Sequence, residues 1–250
     1  MRIDKALVVR GLCRSRAEAQ AALDAGTVTS DGAAVSKASL LVSEESALSV
    51  AEAGPGWVSR AAPKLDAALT HFGIAAGGRA ALDVGASTGG FTECLLRRGA
   101  ASVYAIDVGH GQMVSSIASD PRVCSREGVN ARSVSPSDFP HPFDVIVADL
   151  SFISLTLVLP ALAPLLGAGG DLICLVKPQF EVGAAKLGRG GIVRDPRAHE
   201  EALARVVGAA RACGLSERGR MPSTVEGAEG NREFLLWLKK GEGSGGAGGE

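Results

Sequence analysis

At 250 residues and 46% hydrophobic content, the chain can bury the core of one or two domains. A formal charge of −1 excludes a uniformly basic nucleic-acid binder, so charge must be read segment by segment. Five scattered cysteines with no C-x-x-C pair and no zinc spacing exclude a disulfide framework and a zinc module, predicting mostly buried free thiols, a reducing cytosol and no metal.

Charged residues punctuate the first ten positions, so no secretory signal is expected. Asp4 is placed to cap a short helix that Gly11 ends, and Ser15 with Glu18 forms an S-x-x-E capping box for a second helix that Gly26 ends. TVTSDGAAV reads as a hairpin turning on Asp31-Gly32. Arg2, Lys5, Arg10, Arg14 and Arg16 face only Asp4 in the first sixteen residues, which suits a solvated surface or an RNA-binding face equally.

RIDKALVVRGLCRSRAEA followed by GTVTSDG resembles the α-L RNA-binding motif of a small-subunit ribosomal protein, pseudouridine synthases and other RNA-modifying enzymes. The resemblance implies that the helix pair sits on structured RNA through phosphates and shape, using Arg2, Lys5, Arg10, Arg14 and Arg16. ASLLVSEESALSVAEAGPGWVSR would complete a small sheet and become a linker around Gly54-Pro55-Gly56. The expected division is an RNA-binding domain at 1–53, a linker at 54–62, a catalytic domain at 63–240 and a disordered tail, GEGSGGAGGE, at 241–250.

From residue 63 strands and helices alternate. APKLDAALTHF is a helix, RAALDVG the first strand, and SVYAID, RVCSRE, FDVIVADL and DLICLVK the next four. GGFTECLLRRG, GQMVSSIA, SLTLVLPALAPLL and PRAHEEALARVVGAARACG read as helices, and LSERGRMPS and REFLLWLKK as two late strands. This pattern predicts an α/β, doubly wound, mainly parallel sheet. Residues 151–176 are long and apolar enough to suggest a membrane span, but Pro160, Pro164, three glycines and Asp171 favour a core helix plus a buried strand.

Sheets of this kind bind ligands beyond the carboxyl ends of their strands, which singles out the loop after the first strand. GASTGGFT has no lysine for a Walker A loop and lacks the G-x-G-x-x-G dinucleotide spacing. DVGASTGGFT resembles the first motif of S-adenosylmethionine-dependent methyltransferases. That resemblance implies a cofactor site of Asp83, Gly85, Ala86, Ser87, Thr88, Gly89, Gly90 and Phe91, joined by Asp107, Asn130 and Asp149. A carboxylate suits a ligand carrying a sulfonium and an amino group, Asp107 is placed for ribose hydroxyls, and Asn130 for adenine.

Asp149 and Lys177 end two strands, Glu233 starts the last, and Lys64 lies on the helix before the first. The usual methyltransferase strand order would bring all four to one sheet edge, where two lysines and two carboxylates can pair. Their order, Lys64, Asp149, Lys177, Glu233, resembles the K-D-K-E tetrad of FtsJ-like ribose 2′-O-methyltransferases. With GASTGGFTE, DVGHGQ, ADLSFISL, VKPQFEVG and GNREFLLWL, residues 1–240 resemble the TlyA (hemolysin A) family of ribosomal RNA methyltransferases.

The resemblance implies a Rossmann-like class I methyltransferase sheet of seven strands with the last antiparallel, S-adenosylmethionine as cofactor, and methyl transfer to a cytidine 2′-hydroxyl in ribosomal subunits in the cytoplasm. Lys177 is read as accepting the departing proton or stabilising the developing alkoxide, Asp149 as orienting it, and Lys64 with Glu233 as positioning substrate. DLSF stands where base amino-methylating enzymes commonly carry an N/D-P-P-Y/F loop, and no cysteine is placed on this rim for carbon methylation. The segment after Lys177, with Lys186, Arg189 and Arg194, suits a lid over RNA or a plain polar loop. The alternatives are a membrane-active hemolysin, which the sequence disfavours because no strongly amphipathic cationic helix is present, and a non-catalytic RNA-binding assembly factor, which has no need of the tetrad.

Overall fold

The computed structural model describes residues 1–13, 16–24, 27–35, 37–50, 56–183, 187–227 and 230–242. They form two compact units, Met1–Ala62 and Pro63–Glu250.

In the first unit, α1 (Ile3–Val9) and α2 (Arg16–Asp24) precede β1 (Val28–Ser30), β2 (Ala33–Ala34) and β3 (Leu48–Val50), an antiparallel sheet of order β2-β1-β3. Ile3, Ala6, Leu7, Ala19, Leu23 and Val28, all fully buried, make its core. The β1–β2 hairpin turns on Asp31 and Gly32 with φ of 52° and 81°, the paired positive angles that a type I′ turn requires. Gly11, at φ 70°, closes α1 as expected.

Asp4 is not the helix cap that the sequence predicts. Arg2 holds that place, because the Ile3 N–H is directed to the Leu40 carbonyl and the helix is already under way at Asp4. The Asp4 carboxylate binds Arg2 and Arg16 instead. The Ser15 capping box, the Gly26 stop, the Gly54-Pro55 part of the linker and the tail from 243 fall outside the described residues.

α3 (Ala61–Phe72) starts at the boundary and runs into the second unit, which carries β4 (Ala80–Val84), α4 (Gly90–Arg97), β5 (Ser102–Ile106), α5 (Ser115–Ala118), β6 (Val123–Arg126) and β7 (Phe143–Ala148). Then come α6 (Leu159–Leu162), β8 (Leu166–Val176), α7 (Pro178–Glu181), α8 (Pro196–Ala212), β9 (Leu215–Pro222) and β10 (Phe234–Lys240). The seven-stranded sheet has order β6-β5-β4-β7-β8-β10-β9. β4 to β8 pair in parallel, and β10 runs antiparallel to both of its neighbours. Leu82, Ile146, Leu172 and Leu238, in register across four neighbouring strands, are each fully buried. Burial on both faces is why these strands read as near-continuous apolar runs.

Two expected elements differ. Residues 154–166 do not form one helix: a 3-10 turn at Leu155–Leu157, the single-turn α6 and a second 3-10 turn at Ala163–Leu165 follow one another. Pro160 and Pro164 lack the N–H that a continuous ladder needs. β8 starts at Leu166 rather than Asp171, absorbing the glycines. Asp171, the charge in that apolar run, accepts from Arg79 at 2.9 Å and from the Trp237 indole at 2.9 Å. Residues 151–176 are thus built into the sheet and its cover, and among the described residues no helix is long and apolar enough to cross a membrane. GQMVSSIA is helical only over the four residues of α5.

β4 pairs with β5 on one side and with β7 on the other, so the chain reverses direction across the sheet at β4. The crevice at the carboxyl end of β4 is the switch point where such sheets place ligands.

Candidate active site

Asp83, next to last in β4, is completely buried. Its Oδ2 accepts a 2.6 Å hydrogen bond from Thr92 Oγ1, whereas Oδ1 has no hydrogen-bond partner among the described residues. Burial pushes this carboxyl up to about 7; the Thr92 hydrogen bond opposes the rise, and the Asp149 and Asp107 charges add to it.

One residue beyond β4, Gly85 has φ 84°, and a Cβ there would collide with the Asp149 carbonyl oxygen. The exits of β4 and β7 therefore touch backbone to backbone, and only glycine permits it. Ser87, at φ 47°, donates its N–H to Asp107 Oδ2 at 2.8 Å, and the Gly109 N–H reaches Oδ1 at 2.7 Å. The Thr88 carbonyl takes the Val114 N–H, and Gly89, at φ 95°, leads into α4 at Gly90. Ala86, Gly90 and Phe91 are buried, so Phe91 belongs to the packing beneath the loop. Val129 donates to the Asp107 carbonyl at 2.9 Å and brings its neighbour Asn130 to the same corner. A buried carboxylate oxygen with no partner, a glycine floor and a second carboxylate held by backbone N–H groups fit a ligand bearing an amino group and ribose hydroxyls.

Topology delivers the four predicted charged residues to the adjacent rim as two ion pairs. Lys177 follows β8 and Asp149 follows β7; Lys177 Nζ lies 2.6 Å from Asp149 Oδ1 and donates to Ser151 Oγ at 2.9 Å. The contact to Oδ1 is an ion pair and not an aligned hydrogen bond. Glu233 precedes β10, which runs antiparallel to β8, and its Oε2 accepts from Lys64 Nζ of α3 at 2.5 Å. This second pair is deeper: the side chains of Lys64 and Glu233 are 8% and 3% exposed, against 12% and 18% for Lys177 and Asp149.

Phe152 was not singled out from the sequence, where it is one apolar residue in a short loop without periodicity. It has φ 63°, rare for a bulky residue, and is 91% exposed, with the Phe180 ring 5.3 Å away. The exposed Phe152 ring, three residues beyond Asp149, thus rests against a half-buried Phe180. Below it, Glu181 is buried and accepts from Ser154 Oγ at 2.6 Å and from the Leu155 N–H at 2.8 Å. Burial pushes the Glu181 carboxyl up, with those hydrogen bonds and Arg205 opposing.

The five cysteines are free; Cys13, Cys94 and Cys174 are buried, Cys213 is half-buried, and Cys124 is exposed. Burial pushes the Cys94 and Cys174 thiols up to about 12, which removes them as nucleophiles. No metal-holding cluster occurs among the described residues. Of the lid candidates, Lys186 lies outside the described residues, Arg194 is exposed, and Arg189 begins a 3-10 turn at Arg189–Gly191. The chain just after that turn is anchored by the buried Asn231, whose Oδ1 accepts the Val193 N–H.

In the first unit, Arg2 and Arg16 contact Asp4 at 3.1 and 2.5 Å and hold its carboxyl at about 2, and the Arg10 guanidinium binds the carbonyls of Ser43, Glu44 and Ser46. Arg2 and Arg16 still expose 51% and 65% of their side chains. Lys5 is exposed, and Arg14 lies outside the described residues.

The profile of the FtsJ-like methyltransferase family matches residues 57–240, and that of the S4 domain residues 1–48. The 16S/23S rRNA (cytidine-2′-O)-methyltransferase TlyA of Mycobacterium tuberculosis is 47% identical over 239 residues, covering 95% of this chain and 89% of that protein. A solved structure described as a hemolysin from Streptococcus thermophilus superposes with a TM-score of 0.77 at 39% identity, over 96% of this chain and 88% of the other. At the level of fold alone, an S-adenosylmethionine-dependent methyltransferase from Listeria monocytogenes has a TM-score of 0.55 at 15% identity, over 73% of this chain and 100% of the other. The chain belongs to the TlyA family, an FtsJ-like methyltransferase joined to an N-terminal S4 domain.

Proposed function

We propose that this protein transfers a methyl group from S-adenosylmethionine to the 2′-hydroxyl of a cytidine in ribosomal RNA, acting on ribosomal subunits in the cytoplasm. The observation that carries the reading is the Lys177–Asp149 pair, three residues from the exposed Phe152 and across the β4–β7 exits from the Asp83 oxygen that has no hydrogen-bond partner among the described residues. The cofactor supplies an electrophilic methyl on a sulfonium. Everything else is positioning and charge.

Asp83 Oδ1 is the acceptor for the cofactor's amino group, Asp107 for its ribose, and Asn130 lies on the adenine side. Gly85 to Gly90 form the floor, with Phe91 packed beneath. Phe152, backed by Phe180, offers a π face to an unstacked base, which is how single nucleotides are commonly held. Lys177 Nζ donates one N–H to Ser151 and lies against Asp149 as an ion pair, which leaves it N–H capacity for the ribose oxygen. With the cofactor bound, the ribose oxygen would take its methyl as the sulfonium becomes a neutral thioether; the Lys177 ammonium would stabilise the charge on that oxygen, and the hydroxyl proton would pass to solvent. Lys64 and Glu233 hold the β10 start against α3. Lys5, with the exposed faces of Arg2 and Arg16 and with Arg10 and Arg14, gives the S4 domain its phosphate-binding surface.

The test is to incubate the protein with labelled cofactor and each ribosomal subunit, then map the product by mass spectrometry. Label on a ribose hydroxyl is the expected result. Label on a base, or none on either subunit, overturns the reading.

A further inference from the structure

Glu181 is a buried carboxylate, 3% exposed, that the chemistry proposed above does not use. It ends α7, the single turn that follows Lys177. Both of its oxygens are directed to the other loop of the site: Oε2 to the Ser154 hydroxyl and Oε1 to the Leu155 amide, 27 and 26 residues away in sequence. Ser154 in turn accepts from the Thr156 N–H, so the carboxylate also organises the 3-10 turn in which the Asp149 loop ends.

From the other side, Arg205 of α8 donates to the Glu181 carbonyl at 3.0 Å. The α7 turn is closed on itself by the Phe180 N–H to the Lys177 carbonyl and by the Val182 N–H to the Pro178 carbonyl. A carboxylate this deep is costly to bury unless its oxygens are hydrogen-bonded, and here both are. Its bonds join the segment bearing Asp149, Ser151 and Phe152 to the segment bearing Lys177 and Phe180.

We infer that Glu181 is a positioning residue: it staples the β7 loop to the β8 loop and thereby sets the distance between Asp149 and Lys177 and the seat of the Phe152–Phe180 ring pair. Ser154 and Leu155, two and three residues beyond Phe152, are the points at which Glu181 holds that chain. Two groups on separate loops drift relative to each other without such a tie, and a displacement of about 1 Å at a reacting centre costs about a hundredfold in rate.

The inference rests on the methyltransferase reading, and its test separates the two. Glu181→Ala, Glu181→Gln and Ser154→Ala are compared with wild type for kcat and KM on unmodified 30S and 50S subunits, cofactor affinity by calorimetry, and amide exchange of peptides covering 150–157 and 80–98. In Glu181→Ala, kcat falls about tenfold to a hundredfold. Cofactor affinity is unchanged, and exchange quickens in 150–157 but not in 80–98. Glu181→Gln, which can accept from Leu155 and donate to Ser154, restores most of kcat, and Ser154→Ala, losing one bond, falls between. Wild-type kcat and exchange in Glu181→Ala, or a loss that Glu181→Gln shares in full, overturn the staple. A wild type inactive on both subunits overturns the substrate reading instead, while the exchange data still judge the staple.

Discussion

Lys64 and Glu233, 169 residues apart in sequence, form a buried ion pair with Nζ 2.5 Å from Oε2. It joins the helix that opens the second unit to the strand that closes it, so the two ends of the domain meet beside the site. Removing one partner leaves a buried charge without compensation. Lys64→Met and Glu233→Leu each lower stability by about 3–5 kcal/mol, whereas the double variant recovers most of that loss. Urea unfolding checks this, and additive losses in the double variant would sink it.

Lys177→Ala abolishes methyl transfer, with kcat down by at least about a hundredfold. Cofactor affinity stays within a few-fold, because Asp83 and Asp107 are untouched. Labelled-methyl incorporation and calorimetry measure the two separately. Turnover near wild type would remove Lys177 from the reaction.

Phe152 adopts φ 63° while 91% exposed, so its side chain contributes little packing for the strain its backbone bears. Phe152→Gly relieves the strain and changes stability by less than about 1 kcal/mol. If the ring stacks on a base, the same variant loses about 1–3 kcal/mol of substrate binding, read as a raised KM for the subunit, and Phe152→Tyr restores it. An unchanged KM in Phe152→Gly excludes stacking.

Asp83 gives the protein a pH dependence of defined sign. Its ordinary value is 3.8 and burial raises it to about 7, so between these values the folded chain keeps a proton that the unfolded chain has lost. Stability from this group therefore falls as pH rises from about 4 to about 7, by at most about 1.4 kcal/mol per pH unit, and levels off above. Asp83→Asn removes the slope, and cofactor affinity, which needs the ionised carboxylate, rises with pH through the same window in wild type only. Parallel stability curves for wild type and Asp83→Asn from pH 4.5 to 7.5 would contradict this.

Removal of residues 1–56 weakens binding to ribosomal subunits and flattens its salt dependence, since phosphate contacts release counterions, and leaves cofactor affinity intact. Filter binding across a salt series reads both effects. Equal affinity and slope in the truncated protein would place the RNA contacts elsewhere.

Much of this was legible in one dimension. Strands buried on both faces announce themselves as apolar runs, Asp31-Gly32 as a hairpin, and GASTGG as a loop that suits neither a lysine-dependent phosphate cradle nor a dinucleotide. The positions of Asp149, Lys177 and Glu233 at strand ends followed from that alternation, and the standard strand order brought them together. The same reasoning misplaced Asp4 as a cap, because a helix start depends on what the preceding backbone touches, here Leu40. It also read residues 154–166 as one helix, because the apolar period survives two prolines that the hydrogen-bond ladder does not.

By itself the sequence determined which residue types stand at which strand ends, since local propensity and turn chemistry depend on near neighbours. The tertiary structure alone decided that Lys64 takes Glu233 and Lys177 takes Asp149, that Asp83 keeps one oxygen without a partner among the described residues, that Phe152 faces solvent on a strained backbone, and that Glu181 ties two loops. Those are matters of distance and burial between segments far apart along the chain, and they exist only once the sheet has closed around them.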